Sequence, residues 1–225
     1  MNLYSKAKIA EQIFNVQPEN FVALAREIHQ GQLHANPVFS QYRQATGRAI
    51  QPVDGLQDFS FLPISFFKTH EVKCFDQGPA IIFTSSGTTG MVPSRHFVKD
   101  LDWYEKSFMA SFSFAYGDPA QLAWLCLLPA YLEREGSSLV YMANAFVHAS
   151  QYRESGFFLK ADDKLLQALE NLQKQKAPAV LLGVTFALLD FAEAHAGLDL
   201  NGIIIMETGG MKGRRQEMIR TEVHE

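Results

Sequence analysis

Apolar and polar positions alternate with two different periods along this chain. Near the N-terminus the period is helical: Phe21, Leu24, Ala25 and Ile28 fall on one face of "FVALAREIHQ". Asn20 is placed to cap that helix and Gly31 to end it. A second helix is predicted after Pro37, through "VFSQYRQA", up to the Thr46–Gly47 break. In "FLPISFFKTHEV" a proline interrupts an aromatic run, which predicts a buried extended connection instead of a central strand. Residues 1–70 therefore read as a helical lead-in.

After Pro79 short apolar runs alternate with helical periods. "AIIF" is followed by a helix near "VKDLDWYEKSFMASF", then by "LAWLCLLP" and by "SSLVYMANAFVHA". "FFLK" suits a short strand, and Asp162 can cap "DKLLQALENLQKQ", with Leu165, Leu166, Leu169 and Leu172 on one stripe. "AVLLG", "TFALLDFAEAHAG" and "GIIIM" continue the rhythm. Strand and helix in alternation predict an α/β fold over residues 71–225: a layered, mainly parallel β-sheet with helices on both faces. The last stretch, "GGMKGRRQEMIRTEVHE", reads as a helix with Met211, Met218, Ile219 and Val223 half-buried. The chain stops inside that pattern, and the expectation is a truncated C-terminus.

Composition narrows the class. With 225 residues, 47% of them hydrophobic, the chain can bury a core. A net charge of −4 lacks the polybasic footprint of a nucleic-acid binder. Cys74 and Cys126, far apart and without CxxC or His-spaced company, predict neither a disulfide framework nor a zinc site. No apolar run reaches the length of a membrane span. A soluble cytoplasmic protein is expected. The 18 phenylalanines suit a core, and could also line an apolar pocket.

The candidate chemistry sits in "AIIFTSSGTTGMVPSRHF", residues 80–97. An apolar run leads directly into Thr84, Ser85, Ser86, Gly87, Thr88, Thr89 and Gly90. Gly87 and Gly90 allow close backbone approach, and the amides and hydroxyls offer a dense set of donors for phosphate oxygens. Neither a Walker motif nor a G-x-G-x-x-G is present. The plainer alternative is a Ser/Thr-rich surface turn.

"FTSSGTTGMVPS" resembles the phosphate-binding signature of adenylate-forming enzymes, the acyl-CoA synthetase and AMP-acid ligase superfamily. Within it, "FLPISFFKTHEV", the "SSL" after "LLPAYLEREG", "VLLGVTFALL" and "METGGMKGRR" are similar to the acyl-protein synthetase branch, the fatty-acid-activating component of bacterial bioluminescence. The doubled serine also suits the phenylacetate-CoA ligase branch. The resemblance implies an incomplete N-terminal adenylation domain over residues 1–225, without the mobile C-terminal domain. It implies a ligase that activates a fatty or aryl acid with ATP and Mg²⁺ and passes the acyl group to a thiol, of coenzyme A or of a protein cysteine. Thr84 through Gly90, with Arg95, would hold phosphate. Gly209, Gly210, Met211 and Lys212 would line adenine, and Tyr131, Gly183, Val184 and Thr185 the acyl pocket. Catalytic and metal-binding residues would lie beyond Glu225, leaving no metal ligand in this chain. One departure is visible: Ser94 and then Arg95 follow Pro93, where many members of that superfamily carry lysine.

A non-catalytic nucleotide- or acyl-binding relative, or an inactive fragment, is the alternative from another class. A serine hydrolase using Ser86 or Ser138 lacks a placed His/Asp partner. Gly136–Ser138 is no nucleophile elbow, and Ser137 and Ser138 suit a helix N-cap. His96 reads as the polar start of a strand, Trp124 as core, and Cys126 as a buried thiol.

Overall fold

The computed structural model describes residues 6–47, 55–85, 92–129, 136–209, 215–216, 218 and 220–223. The chain divides into two compact units, Met1–Ala110 and Ser111–Glu225.

In the first unit, α1 (Lys6–Phe14), α2 (Pro18–Ala35) and α3 (Pro37–Ala45) follow one another with short breaks. The N-cap of α2 is Gln17, not Asn20 as expected; Asn20 lies in the first turn, where its Oδ1 accepts from the Gln17 amide at 2.9 Å. Gly31 does not end the helix. A glycine in a helix costs only about 1 kcal/mol, and the stop comes at Asn36, whose Oδ1 accepts from the Phe39 amide at 3.2 Å and so starts α3. The aromatic stretch "FLPISFFKTHEV" contains a helical turn, α4 (Phe66–Thr69), because Pro63 opens a turn in which the Phe66 amide donates to the Pro63 carbonyl. Phe61 and Ile64 are exposed, so this connection is not buried as expected.

The strand β1 (Ile81–Thr84) pairs antiparallel with β2 (Arg95–Val98), Thr84 lying opposite Arg95. The Ser85 amide donates to the Ser94 carbonyl at 3.0 Å and extends the ladder past the strand ends. A connection this short permits only antiparallel pairing, since a parallel crossover needs a dozen or more residues. The helix α5 (Leu101–Tyr116) follows.

The second unit carries β3 (Ala123–Leu127), α6 (Ser138–Ala149), β4 (Gly156–Phe158), α7 (Asp163–Gln175), β5 (Ala179–Val184), α8 (Thr185–Ala194), β6 (Ile203–Thr208) and α9 (Arg220–Val223). Its strands form a parallel sheet in the order β4-β3-β5-β6. Every residue of β3 and β5 is buried, as central parallel strands require. Trp124 stacks on Phe146 of α6 with centroids 4.4 Å apart, and its indole N–H donates to the Pro119 carbonyl at 2.9 Å. Leu165, Leu169 and Leu172 of α7 are fully buried, each contributing about 1.5–3 kcal/mol of apolar burial. Two caps read from sequence are in place: Asp162 Oδ1 accepts from the Lys164 amide and Ser137 Oγ from the Val140 amide.

The layered, sheet-dominated α/β fold expected for residues 71–225 is corrected by this architecture. Among the described residues the protein is predominantly helical, 51% helix against 15% strand, with two modest sheets of two and four strands. "AIIF" was expected in the parallel sheet, and it forms a separate antiparallel hairpin instead. The expected terminal helix is described only as the single turn of α9; Met211 and Ile219 lie outside the described residues.

Candidate functional site

Open parallel sheets offer ligand sites beyond the carboxyl ends of their strands, where loops diverge and helices start. In the second unit this rim brings together several of the positions singled out from sequence. Gly183 pairs with Glu207 and Val184 with Thr208, so Gly183, Val184 and Thr185 adjoin the strand end that leads to Gly209. Thr185, 4% exposed, opens α8, and its hydroxyl donates to a carboxylate oxygen of Glu207. This bond ties the start of α8 to the end of β6.

The same two residues line one end of a groove of about 570 Å³ that runs beside α8. Leu188, Leu189 and Ala192 of α8 form one wall, and Leu181 and Ile205 of the sheet form the other. The register explains the sheet wall: Leu181 pairs with Ile205 and Gly183 with Glu207, two steps apart on one face. Ile205 is 52% exposed there, a large apolar side chain without a full cover. At the far end stands His195, directly after α8, with its ring 5.1 Å from that of Phe191. Its Nε2 is buried and has no hydrogen-bond partner among the described residues.

Gly183 has a local task. A Cβ there would come within 2.7 Å of Leu188 Cγ and Cδ2, so the bare backbone lets Leu188 seat against β5. A Cβ on Gly209 would meet nothing within 4 Å among the described residues, so none of their atoms requires glycine at that position. Arg215 clamps α8 from outside: its Nε donates to Asp190 at 2.8 Å and its Nη1 to Glu193 at 2.7 Å. Those bonds hold the Glu193 carboxyl below the usual glutamate range.

In the first unit, Thr84 and Ser85 close the hairpin. Ser85 Oγ accepts from the Ser94 amide at 2.9 Å, which places this hydroxyl in the hydrogen bonding between the two strand ends. Arg95 lies 4.0 Å from Glu71 Oε1, and its guanidinium sits 5.4 Å from the Phe97 ring centroid. Lys73 is the nearer partner of Glu71, at 2.9 Å, and its hydrogen bond is the main reason that carboxyl is held low. Ser86, Gly87, Thr88, Thr89, Gly90, Tyr131, Gly210, Met211 and Lys212 lie outside the described residues. Cys126 is fully buried, and burial pushes its thiol up to about 12, away from thiolate chemistry.

Sequence reasoning missed Glu207, Leu188 and His195 as groove residues. Glu207 alone had a legible signal, a carboxylate placed just before a glycine pair at a strand end.

No protein-family profile, curated protein or solved structure matches the chain. Together with the helical fold, this overturns the resemblance to adenylate-forming enzymes and to the acyl-protein synthetase and phenylacetate-CoA ligase branches. The AMP-forming acid–thiol ligase activity implied by that resemblance falls with it. So do the descriptions of the protein as an acyl-CoA synthetase-like, ATP- and magnesium-binding enzyme. The large sheet on which such a site is built is replaced by four short parallel strands and a hairpin. Among the described residues no group of three or more His, Cys, Asp or Glu side chains could hold a metal ion. Also among these residues, no helix is long and apolar enough to cross a membrane.

Proposed function

We propose that the 111–225 unit binds a small amphiphile, a molecule with an apolar body and a hydroxyl or amino group at one end. The Thr185–Glu207 hydrogen bond carries this reading, because it sets a carboxylate at one end of a groove whose walls are mostly apolar. One carboxylate oxygen accepts from Thr185, and lone pairs remain for a ligand donor. The groove volume falls within the range of small-molecule sites, and a few polar groups amid apolar walls are their usual make-up. Free Cys74, exposed, and free Cys126 support a reducing, cytoplasmic setting.

Methyl NMR on the full chain tests the proposal, with Ile205 and Leu188 as reporters. Octylamine should shift both, and Glu207→Gln should weaken that binding about fivefold or more, the scale of a charge-assisted hydrogen bond. Adenosine and ATP with Mg²⁺ form a second arm for the cofactors expected from sequence, since adenosine also carries amino and hydroxyl donors. If none of these ligands moves either methyl signal, the groove is packing alone and the reading fails.

A further inference from the structure

The first unit contains a hollow of its own, of about 410 Å³. That volume falls in the range of small-molecule sites and far exceeds the space of one water. Its walls are mostly apolar: Ile28 of α2, Phe39 of α3 and Phe59, with the exposed Phe61 at its rim. Two polar residues line it deep in the protein: His29 is 7% exposed and Ser60 3%. Phe39 and Phe59 meet the His29 ring edge to face, with centroids 5.3 and 4.9 Å away, and fix its orientation. The Ser60 amide donates to His29 Nε2 at 3.4 Å, so Nε2 presents its lone pair. The neutral ring then carries its proton on Nδ1. Burial above all holds the His29 pKa below its ordinary value and keeps the ring neutral.

Nδ1–H is therefore a buried donor. It has no hydrogen-bond partner among the described residues, and neither has the Ser60 hydroxyl. Buried polar groups in native proteins are nearly always satisfied. The side-chain carbonyls that line the hollow are engaged, Asn36 Oδ1 by the Phe39 amide and Gln32 Oε1 by the Cys74 thiol. Two protons thus await an acceptor. A ligand carbonyl oxygen has two lone pairs and brings no proton of its own, so it can accept from both donors. Of two facing hydroxyls only one can donate to the other, so an alcohol beside Ser60 would leave one O–H unmet. None of the described residues lining the hollow is Asp, Glu, Lys or Arg, so an ion would enter without a counter-charge and is strongly disfavoured.

We propose that this hollow is a binding site for an uncharged, largely apolar carbonyl compound, a ketone or an ester. Its carbonyl oxygen accepts from His29 Nδ1–H and the Ser60 hydroxyl, while its hydrocarbon part packs against Ile28, Phe39 and Phe59. The site does not depend on the groove of the second unit.

The test titrates the full chain with methyl hexyl ketone, the alcohol of the same skeleton and octanoate, and reads each affinity from the ¹⁵N resonance of His29 Nδ1. Loss of that signal in His29→Gln assigns it, and in the free protein Nε2 should be the unprotonated nitrogen. The ketone should shift Nδ1 and bind at least about fivefold more tightly than the alcohol, the scale of one unmet donor. Octanoate should also bind more weakly than the ketone. Ser60→Ala should weaken the ketone about fivefold. Ile28→Trp, which fills the hollow, should abolish its binding with the circular dichroism spectrum retained. The wild-type comparison decides even where a variant fails to fold. An unmoved Nδ1 resonance, a protonated Nε2, alcohol or octanoate binding as tightly as the ketone, or undiminished binding to Ile28→Trp would overturn the proposal. The Ile205 methyls report on the second unit's groove instead, so either site can fail without the other.

Discussion

Replacing Gly183 by alanine probes how closely α8 approaches the sheet. The new methyl would sit 2.7 Å from Leu188 Cγ and Cδ2 and 3.3 Å from Cδ1. Carbon atoms pack best at about 3.5–4.0 Å, so Leu188 must move by roughly 1 Å or α8 must lift. Overpacking of this size costs about 1–3 kcal/mol. Gly183 is not among the glycines with positive φ, so alanine brings no backbone strain and the cost is steric. Truncating Leu188 to alanine removes the colliding atoms. In that background Gly183→Ala should be neutral or stabilising by about 0.4–1 kcal/mol, through the stiffer unfolded chain. The double-mutant cycle should therefore return a coupling energy of about 1–3 kcal/mol. Urea unfolding followed by Trp124 fluorescence measures it, with Trp103→Phe in every member so that only this unit reports. The same penalty in both backgrounds, or a stabilising Gly183→Ala in the parent, would refute the close-approach argument.

Leu172→Ala should cost about 2–5 kcal/mol in the same assay, since the side chain is fully buried, and half-buried Leu166→Ala should cost clearly less. Asp162→Ala should cost about 1 kcal/mol by removing the cap on the Lys164 amide, and Asp162→Asn should recover most of it. A disulfide thiol reagent should modify one sulfhydryl per native chain at Cys74 and reach Cys126 only in denaturant; two fast native reactions would contradict the burial of β3. The Glu193 carboxyl should titrate below an ordinary glutamate by ¹³C NMR, and Arg215→Ala should return it to the normal range. Its native pKa is depressed, so the support that the clamp gives α8 is present above the unfolded-state pKa and is lost as pH falls through the native value.

What was legible in the chain was local. Helical spacing placed α2, α3, α7 and α8 near their true positions, because the apolar stripe of a helix is written within a few turns. The caps at Asp162 and Ser137 were readable for the same reason, as each bond spans two or three residues. Even locally, competing signals decided Gly31 and Pro63: continued helix beyond the first, and a turn at the second, outweighed the single-residue expectation.

Pairing and enclosure were not legible. "AIIF" and "AVLLG" look alike as apolar runs, yet one forms an edge of a hairpin and the other the buried centre of a parallel sheet. Their partners, β2 in one case and β3 with β6 in the other, are chosen by chain connection and by packing at a distance. The site residues divide in the same way. Gly183, Val184 and Thr185 stood out as a strand-to-helix junction, but only the register of β5 with β6 sets Glu207 beside Thr185. His29 and Ser60, 31 positions apart, carried no joint signal at all. By itself, then, the sequence determined the helices, the caps at Asp162 and Ser137 and the apolar strands, since these depend on neighbours in the chain. Tertiary structure alone decided which strands meet, which polar atoms are left buried without partners, and where cavities open, because all three are set by residues distant in sequence.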